Sequence, residues 1–391
     1  MRGTRGPHAP ATPLRLAVVL ALAAGFAVAS GCGGGSSGGG TRKVKGPKVV
    51  ETPKLPPANP DAVRDMEAGL RVLRLGGPEA NERALERLRI AVKKDSQLWE
   101  AWHNLGVVLF AEGDDDAAVD AFNRAVEINP AHTASIKARA EALRRAGERK
   151  KSRADYKEVL ERNPNDVQAY ARMASLLREM GENEDALDVL RDALRAVGGR
   201  APIYVELGLV YLAQGRDDLA ELVLTKAAAL DEKNPVIWNA LAMVAMERGK
   251  DQEAFERFDK ASSLAPDYLD ARYNVASVLI DSGDYGRART ELEAVLSKRP
   301  DDLGAKVALG VAARGMGEHD RARSIWNDVV KSAPRHSEVR GDALFNLAVL
   351  EMDFALNEKK AKDALDRFLQ ESPRKHPKRK EAEERRKELG Q

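Results

Sequence analysis

The chain has 391 residues, of which 43% are hydrophobic and 5% aromatic, so it contains enough apolar material for a large folded region. The formal net charge is +2, but basic residues are concentrated before residue 61 and after residue 373, and the segment between them is acidic. An acidic central segment does not favour nucleic-acid binding along its length. A single cysteine excludes an intrachain disulfide and a zinc site built on several cysteines.

Residues 1–31 have the pattern of a secretory signal peptide. Arginines lead into the apolar run Leu14–Val28, and the small residues at positions 29–31 follow it. A positive region, a short apolar core and small residues before a cleavage point are typical of such signals. The apolar run is too short to cross a membrane comfortably as a helix.

Cys32 follows the small residues directly and precedes a glycine-rich stretch. This arrangement resembles the bacterial lipobox, with Ala29 where leucine is more usual. The resemblance implies a lipid (palmitate) anchor on Cys32, and Gly33 in place of aspartate implies the outer membrane, with the chain facing the periplasm. A lone thiol in an exported protein agrees with lipidation. The alternative is an ordinary signal peptide with an incidental cysteine.

Residues 32–60 are predicted to be a lipidated tether. The segment opens with GGGSSGGG, which cannot bury apolar surface, and continues with several prolines that stiffen its path. A flexible chain of this length has a root-mean-square reach of about 30 Å. That reach is enough to hold a folded region away from a membrane surface.

A glycine recurs every 34 residues, seven times without a slip. Each follows an apolar pattern of helical period and precedes another such pattern after a short polar stretch. Because glycine adopts positive φ without steric cost, each is predicted to end a helix. Repeats of this length indicate stacked helix–turn–helix units rather than a closed globule. The glycines are Gly113, Gly147, Gly181, Gly215, Gly249, Gly283 and Gly317.

Other slots recur with the same period. A small residue stands seven positions before each glycine and another five after it, and a bulky residue stands nine after it. Small residues let antiparallel helices approach closely, and the bulky residue fills the seam. The best copy contains Trp102, Leu105, Gly106, Leu109, Ala118, Phe122, Ala125 and Pro130. It resembles the tetratricopeptide repeat (TPR), W-x2-L-G-x2-Y then A-x3-F-x2-A-x4-P, departing only at the tyrosine slot.

The resemblance implies an all-α fold, a right-handed superhelical TPR solenoid of about eight to nine helix pairs over residues 61–373. The first pair, residues 61–94, and the pair after Pro334 depart from the pattern, as terminal repeats often do. Residues 374–391 form a basic, charged C-terminal tail with almost no apolar stripe. This tail is predicted to be an exposed helix.

Enzyme motifs were not found in the chain. It has no H-E-x-x-H, no phosphate-binding loop and no dinucleotide fingerprint, and its histidines lack metal-ligand spacing. Acidic clusters after the turns, such as Asp114–Asp116 and Glu182–Asp185, lie at helix starts, where they favour the helix dipole. We therefore expect no catalysis, no metal and no cofactor, and we interpret His103 as a polar residue of an inner helix face.

The TPR resemblance implies that the first helix of each pair lines a concave groove, with its second, fifth, ninth, twelfth and thirteenth positions inward. In the middle repeats these slots form a mostly apolar stripe made by Val205, Leu209, Leu212, Asn239, Met243, Met246, Tyr273 and Ile280. An apolar groove rimmed by charge fits a peptide or helix of a protein partner. The alternative is that these side chains pack along the solenoid or against a terminal segment of the same chain.

The preceding repeats place charged residues in the same slots, among them Lys137, Glu141, Arg144, Arg145 and Arg178. A TPR subclass grips a C-terminal carboxylate with lysine and asparagine there. Lys137 matches the lysine, but Glu141 stands where asparagine is needed, so the resemblance to that clamp fails.

The whole sequence resembles outer-membrane TPR lipoproteins that serve cell-envelope machines: the type IV pilus pilotins, the β-barrel assembly lipoprotein and the adventurous gliding-motility TPR lipoprotein. The repeat number, the glycine tether and the composition favour the last. The resemblance implies a lipid-anchored scaffold that binds protein partners of a gliding-motility or type IV pilus machine. The alternative is a non-catalytic regulatory or assembly subunit of a cell-wall enzyme, a transporter or an outer-membrane assembly complex.

Overall fold

The computed structural model describes residues 48–77 and 79–389. Within these residues there are 19 α-helices and no strand, which confirms the all-α class and about nine helix pairs. No helix of this part of the chain combines the length and the apolar character needed to cross a membrane. The predicted signal peptide, Cys32 and the start of the predicted tether lie outside the described residues.

The helices alternate between first and second members of a pair. The first members are α1 (Pro60–Leu75), α3 (Trp99–Glu112), α5 (Thr133–Arg145), α7 (Val167–Glu179), α9 (Ala201–Ala213), α11 (Pro235–Glu247), α13 (Leu269–Asp281), α15 (Leu303–Gly315) and α17 (Glu338–Asp353). The second members are α2 (Ala80–Lys94), α4 (Asp115–Ile128), α6 (Arg149–Arg162), α8 (Asn183–Val197), α10 (Asp217–Leu230), α12 (Asp251–Leu264), α14 (Tyr285–Lys298), α16 (His319–Ser332) and α18 (Glu358–Glu371). A final helix, α19, spans Arg379–Glu388.

The described residues divide into two units by their packing. The N-terminal unit ends at Val210 and the C-terminal unit begins at Tyr211, so the division falls within α9. In the N-terminal unit each helix from α1 to α8 packs against the next one, and in the C-terminal unit the same holds from α10 to α19. Sequential packing of this kind is typical of repeat proteins, in which each repeat contacts its neighbours.

The periodic glycines end helices as predicted. All seven have positive φ, between 67° and 88°. At Gly215 the turn is closed by two backbone hydrogen bonds, from Gly215 N to Leu212 O at 3.0 Å and from Arg216 N to Tyr211 O at 2.9 Å. These bonds satisfy the last carbonyls of the preceding helix. A Cβ atom added to Gly215 would meet nothing within 4 Å, so glycine is required there by backbone geometry alone.

The bulky slot forms the centre of the core in each pair. Its seven residues are at most 1% exposed: Phe122, Tyr156, Leu190, Leu224, Phe258, Leu292 and Trp326. A Cβ atom on Gly106 would come within 2.7 Å of the Phe122 ring. A Cβ atom on Gly310 would likewise overlap the Trp326 ring, whose Nε1 donates to Val307 O at 3.1 Å. Glycine thus occupies the small slot where the facing ring is largest.

Residues 48–59, the end of the predicted tether, lie against the N-terminal unit as an extended strap. Lys48 N donates to Glu161 O in the last turn of α6 at 2.8 Å. Asn59 N donates to Asp95 Oδ2, just after α2, at 2.9 Å. Three apolar residues between these points are half-buried. The strap differs from a solvated linker because its backbone donors find acceptors where helices end.

The C-terminal tail is helical but packs against α18, contrary to the prediction of an exposed helix. Ala382 is fully buried. Arg386 Nε lies 2.5 Å from Asp366 Oδ1 on α18, and Arg385 lies 3.5 Å from Asp353 at the end of α17. The contacts of α19 are mainly ionic, so the apolar stripe that would have predicted its packing is absent from the sequence.

Candidate partner-binding surface

The predicted groove residues of the C-terminal unit lie on α9, α11 and α13. Leu212 is half-buried. Met243, Met246, Tyr273 and Ile280 are also half-buried, and each packs with one side against the core of its repeats. The remaining part of each side chain is accessible to solvent. These residues therefore present apolar surface while they help to hold the helices together.

Asn239 joins α11 to α13. Asn274 Nδ2 donates to Asn239 Oδ1 at 2.9 Å, and Asn239 Nδ2 lies 3.8 Å from Met243 Sδ as a weak donor. Asn239 is 8% exposed, and both ends of its amide have partners within the unit, as expected of a buried polar group. Its side chain fixes the spacing of two first helices beside the apolar residues.

The apolar surface continues onto α15, one repeat further than the sequence analysis predicted. Val307 and Val311 are half-buried against the core of the last repeats. Val307 and Arg314 occupy the slots that Tyr273 and Ile280 occupy 34 residues earlier, so the repeat period could have revealed them. We call the following set the inner apolar face: Leu212, Met243, Met246, Tyr273, Ile280, Val307 and Val311.

Arg314 lies at the end of the inner apolar face. Its Nη1 donates to Asn346 Oδ1 on α17 at 3.3 Å. Its Cζ lies 5.7 Å from the ring centroid of Trp326 and 5.9 Å from that of Phe354. Burial lowers the pKa of Arg314, because the charged guanidinium is poorly solvated at this position. The guanidinium is thus surrounded by rings and bonded to one neutral acceptor.

The charged slots of the N-terminal unit are paired with one another. Lys137 Nζ lies 2.7 Å from Asp166 Oδ2. Glu141 receives Arg144 at 3.0 Å and Arg172 at 3.2 Å on its two oxygens. The two clamp-like positions are therefore occupied by partners within the unit. This face offers a protein partner little unpaired charge.

The predicted groove residues on the N-terminal side of α9 differ in exposure. Val205 is 6% exposed and belongs to the core, whereas Leu209 is half-buried. Between them, Glu206 lies 3.7 Å from Arg178 on α7. Burial raises the pKa of Glu206, and the guanidinium of Arg178 opposes that shift. This end of α9 is therefore tightly packed and holds a desolvated ion pair.

His103 belongs to a hydrogen-bonded cluster that the sequence analysis missed. Ser135 Oγ lies 3.0 Å from His103 Nδ1 and 2.7 Å from His132 Nδ1. His132 Nδ1 also accepts the backbone N–H of Ser135 at 3.3 Å and so caps α5. Burial lowers the pKa of His103 to about 4 and lowers that of His132. Ser135 is fully buried, so its hydroxyl links α3 to the start of α5.

No metal centre accompanies this cluster. Across residues 48–77 and 79–389, no three side chains of histidine, cysteine, aspartate or glutamate are grouped so that they could hold a metal ion. Of the acidic residues after the turns, Asp114 caps α4 by accepting Ala117 N at 3.2 Å. Glu182 makes no such cap and instead receives Arg153 at 2.5 Å. Both acidic residues are thus used in the structure of the repeats.

Profiles of known families match most of the repeat region. Tetratricopeptide-repeat profiles match residues 99–132, 155–188 and 177–244. A profile described as the TPR domain of cytochrome c-type biogenesis protein H matches residues 213–340. Together these matches cover more than half of the chain, and they fall on the helix pairs described above.

Individual relatives agree with the profiles. A stretch of 71 residues, 18% of this chain, is 45% identical to tetratricopeptide repeat protein 7A of Homo sapiens, but the chain covers only 8% of that protein's length. A TPR protein of Parabacteroides merdae superposes with a TM-score of 0.56 at 16% identity, over 65% of this chain and 99% of that one. The Cut9–Hcn1 hetero-tetramer of APC/C gives 0.51 at 16% identity, over 78% and 55%. The repeat pattern, the helix pairs and the profile matches agree: the chain is a tetratricopeptide-repeat protein.

Proposed function

We propose that this protein is a non-catalytic scaffold that binds an apolar segment of a protein partner on the inner apolar face. The single observation that carries the proposal is the row of half-buried apolar side chains at recurring slots of α11, α13 and α15. A contiguous exposed apolar surface of this kind marks an interaction site in a monomeric protein. TPR proteins use such surfaces to bind proteins.

The contrast between the two units supports the assignment to the C-terminal unit. In the N-terminal unit the corresponding slots hold arginines and carboxylates that neutralise one another, as Arg144 does with Glu141 and Glu179 at 3.0 Å. In the C-terminal unit the slots hold methionine, tyrosine, isoleucine and valine. Methionine side chains are flexible and polarisable, so they adapt to the shape of an apolar partner.

Met243→Glu tests the proposal most directly. A partner that covers residue 243 would have to bury an unpaired carboxylate, which is costly. We expect the affinity for a partner to fall by more than about tenfold, while the helical content and the melting temperature stay close to those of the parent. Leu222→Glu is the matched control, because Leu222 is a 54% exposed leucine on α10, outside the inner apolar face. The control should bind as the parent does.

Partners would be isolated from detergent extracts of the cell envelope, identified by mass spectrometry and then purified for binary titration against the three proteins. If Met243 packs against the protein's own chain, Met243→Glu will lower the melting temperature without a partner. If the variant folds normally and binds every purified partner as the parent does, the inner apolar face is not the binding site.

We further propose that Cys32 carries a lipid anchor and that the protein faces the periplasm from the outer membrane. The sequence of residues 1–33 supports this location. Cys32→Ser should release the protein from the membrane fraction and abolish acyl labelling. Membrane fractionation and acyl labelling that both remain unchanged would contradict the anchor. A gliding-motility or type IV pilus machine is the partner assembly that the resemblance favours.

A second candidate function has its own support. The match of residues 213–340 to the TPR domain of a cytochrome c-type biogenesis protein favours an assembly or regulatory subunit of another envelope complex. The identity of the purified partner distinguishes the two candidates. Motility or pilus components would support the first, and components of a cytochrome assembly apparatus, a cell-wall enzyme or a transporter would support the second.

A further inference from the structure

Arg314 is the exception among the arginines of the C-terminal unit. Each of the other half-buried arginines described there has a carboxylate oxygen within 4.0 Å. Arg272 pairs with Glu291 at 2.9 Å, for example. Among the described residues, Arg314 has no carboxylate at that distance, and its hydrogen bond to Asn346 is to a neutral oxygen.

The surroundings of Arg314 explain why the protein itself does not neutralise it. Asp353 is the carboxylate that acts on it electrostatically, but both oxygens of Asp353 lie 3.5 Å from Arg385. A guanidinium has five N–H donors, and a desolvated one gains most from an anionic acceptor. Arg314 therefore retains donors for an acceptor that comes from outside the chain.

The repeat places Arg314 in line with apolar residues. It occupies the slot held by Leu212, Met246 and Ile280 in the three preceding repeats, each 34 residues apart. A segment that covers this row would reach the guanidinium after passing over Ile280. Beyond Arg314, α17 continues the same succession of first helices, with Asn346 bonded to Arg314. The surface does not end at the arginine, so a bound segment can continue past it.

We propose that Arg314 binds the side-chain carboxylate of an aspartate or glutamate in the partner segment whose apolar residues cover Met246 and Ile280. This inference rests on the proposed function, because it names the chemistry of the segment bound by the inner apolar face. Charge complementarity selects an acidic residue, and the continuation of the surface onto α17 selects a side chain within the segment over a free C-terminus. Arg314 would then set the register and polarity of the bound segment.

The test uses the full-length protein and a phage-displayed library of peptides of about 16 residues, which span roughly 24 Å as a helix. The parent should select peptides that combine apolar residues with an acidic residue at a constant spacing. The best peptide is then synthesised with a blocked C-terminus in two forms, one with the glutamate and one with glutamine in its place. For the parent we expect the glutamate form to bind at least about tenfold more tightly, as a charge-assisted hydrogen bond requires.

Three variants complete the experiment. Arg314→Gln should bind both peptides equally, and Arg314→Lys should restore part of the preference because it keeps the charge. Arg335→Gln removes an equal charge from an exposed loop position of the same unit and should leave the preference intact. Circular dichroism melts of all variants check that each is folded. Should Arg314→Gln unfold, the comparison of the parent with Arg314→Lys still decides the matter through the size of the preference.

Two failures have different meanings. If the parent binds both peptides equally, or if folded Arg314→Gln retains the preference, the role of Arg314 is refuted while the inner apolar face stands. If no peptide is selected, or if the selected peptides bind Met243→Glu as tightly as the parent, the proposed function fails, and the role of Arg314 fails with it. A preference that depends on a free C-terminus would refute the assignment to an acidic side chain.

Discussion

Acid should weaken the N-terminal unit through the cluster of His103, His132 and Ser135. His132 Nδ1 accepts the Ser135 N–H, so this atom carries no proton at neutral pH. The Ser135 hydroxyl can then donate to His132, and His103 Nδ1–H can donate to the hydroxyl. A proton on His132 Nδ1 would remove the cap of α5 and place positive charge at the helix N-terminus, which is unfavourable. The two imidazole centroids are also only 5.2 Å apart, so two charges would repel.

The size of the effect follows from the pKa of His103. Its ordinary value is 6.5, and burial lowers it to about 4 in the folded protein. Between these values the unfolded chain binds more protons than the folded one, so the stability present above pH 6.5 is lost as the pH falls. The whole difference corresponds to about 3 kcal/mol, and about 2 kcal/mol is lost by roughly pH 5. His132, whose pKa is also lowered, acts in the same direction.

Urea unfolding at about pH 8 and about pH 5, followed by circular dichroism, would measure the loss in the parent and in His103→Asn. Asparagine can donate to Ser135 but does not titrate, so the variant should lose about 2 kcal/mol less over this interval. Nuclear magnetic resonance of the imidazoles would give the pKa of His103 independently. A folded-state pKa of His103 near 6.5, together with equal losses in both proteins, would refute the reasoning.

Two further predictions concern the backbone. Gly215→Val should destabilise the C-terminal unit by about 1–3 kcal/mol because valine is strained at positive φ, whereas Gly215→Asn should cost less; equal melting temperatures for the parent and both variants would show that the turn tolerates any residue. Lys48→Pro removes the N–H that bonds Glu161 O, and the loss of about 1 kcal/mol should make trypsin cleave after Lys54 about fivefold faster. Lys48→Ala keeps that N–H and should be cleaved at the parent's rate; equal cleavage in all three would show that the strap is not held by this bond.

The strap and the tail show where prediction from sequence stops. Proline, glycine and lysine after residue 32 are typical of a solvated linker, and the composition of residues 374–391 is typical of an exposed helix. Both segments nevertheless contact the fold, through Lys48 to Glu161 O and through Arg386 to Asp366. Backbone hydrogen bonds and ion pairs depend on which helix ends and carboxylates lie nearby, and that proximity has no periodic signature in the chain.

The candidate surface could be predicted in part. The repeat slots are enough to identify Met243, Met246, Tyr273 and Ile280, because a 34-residue period carries each inner position from one repeat to the next. The same rule reaches Val307 and Arg314. Burial of Val205 and Asn239 could not be read from those slots, since it depends on how closely the neighbouring helices approach.

The sequence by itself determined the helix pairs, their turns and their cores. A glycine at positive φ and a small residue facing a bulky one are local requirements, and each recurs in phase in all seven repeats. Only the tertiary structure decided which charges are neutralised. Arg144 and Arg314 both occupy the twelfth position of a first helix, yet Arg144 lies 3.0 Å from Glu179, and the structure brings no carboxylate within 4.0 Å of Arg314 among the residues it describes. The pairing of a charge depends on side chains about one repeat away in sequence, and the packing of the helices selects which of these it meets.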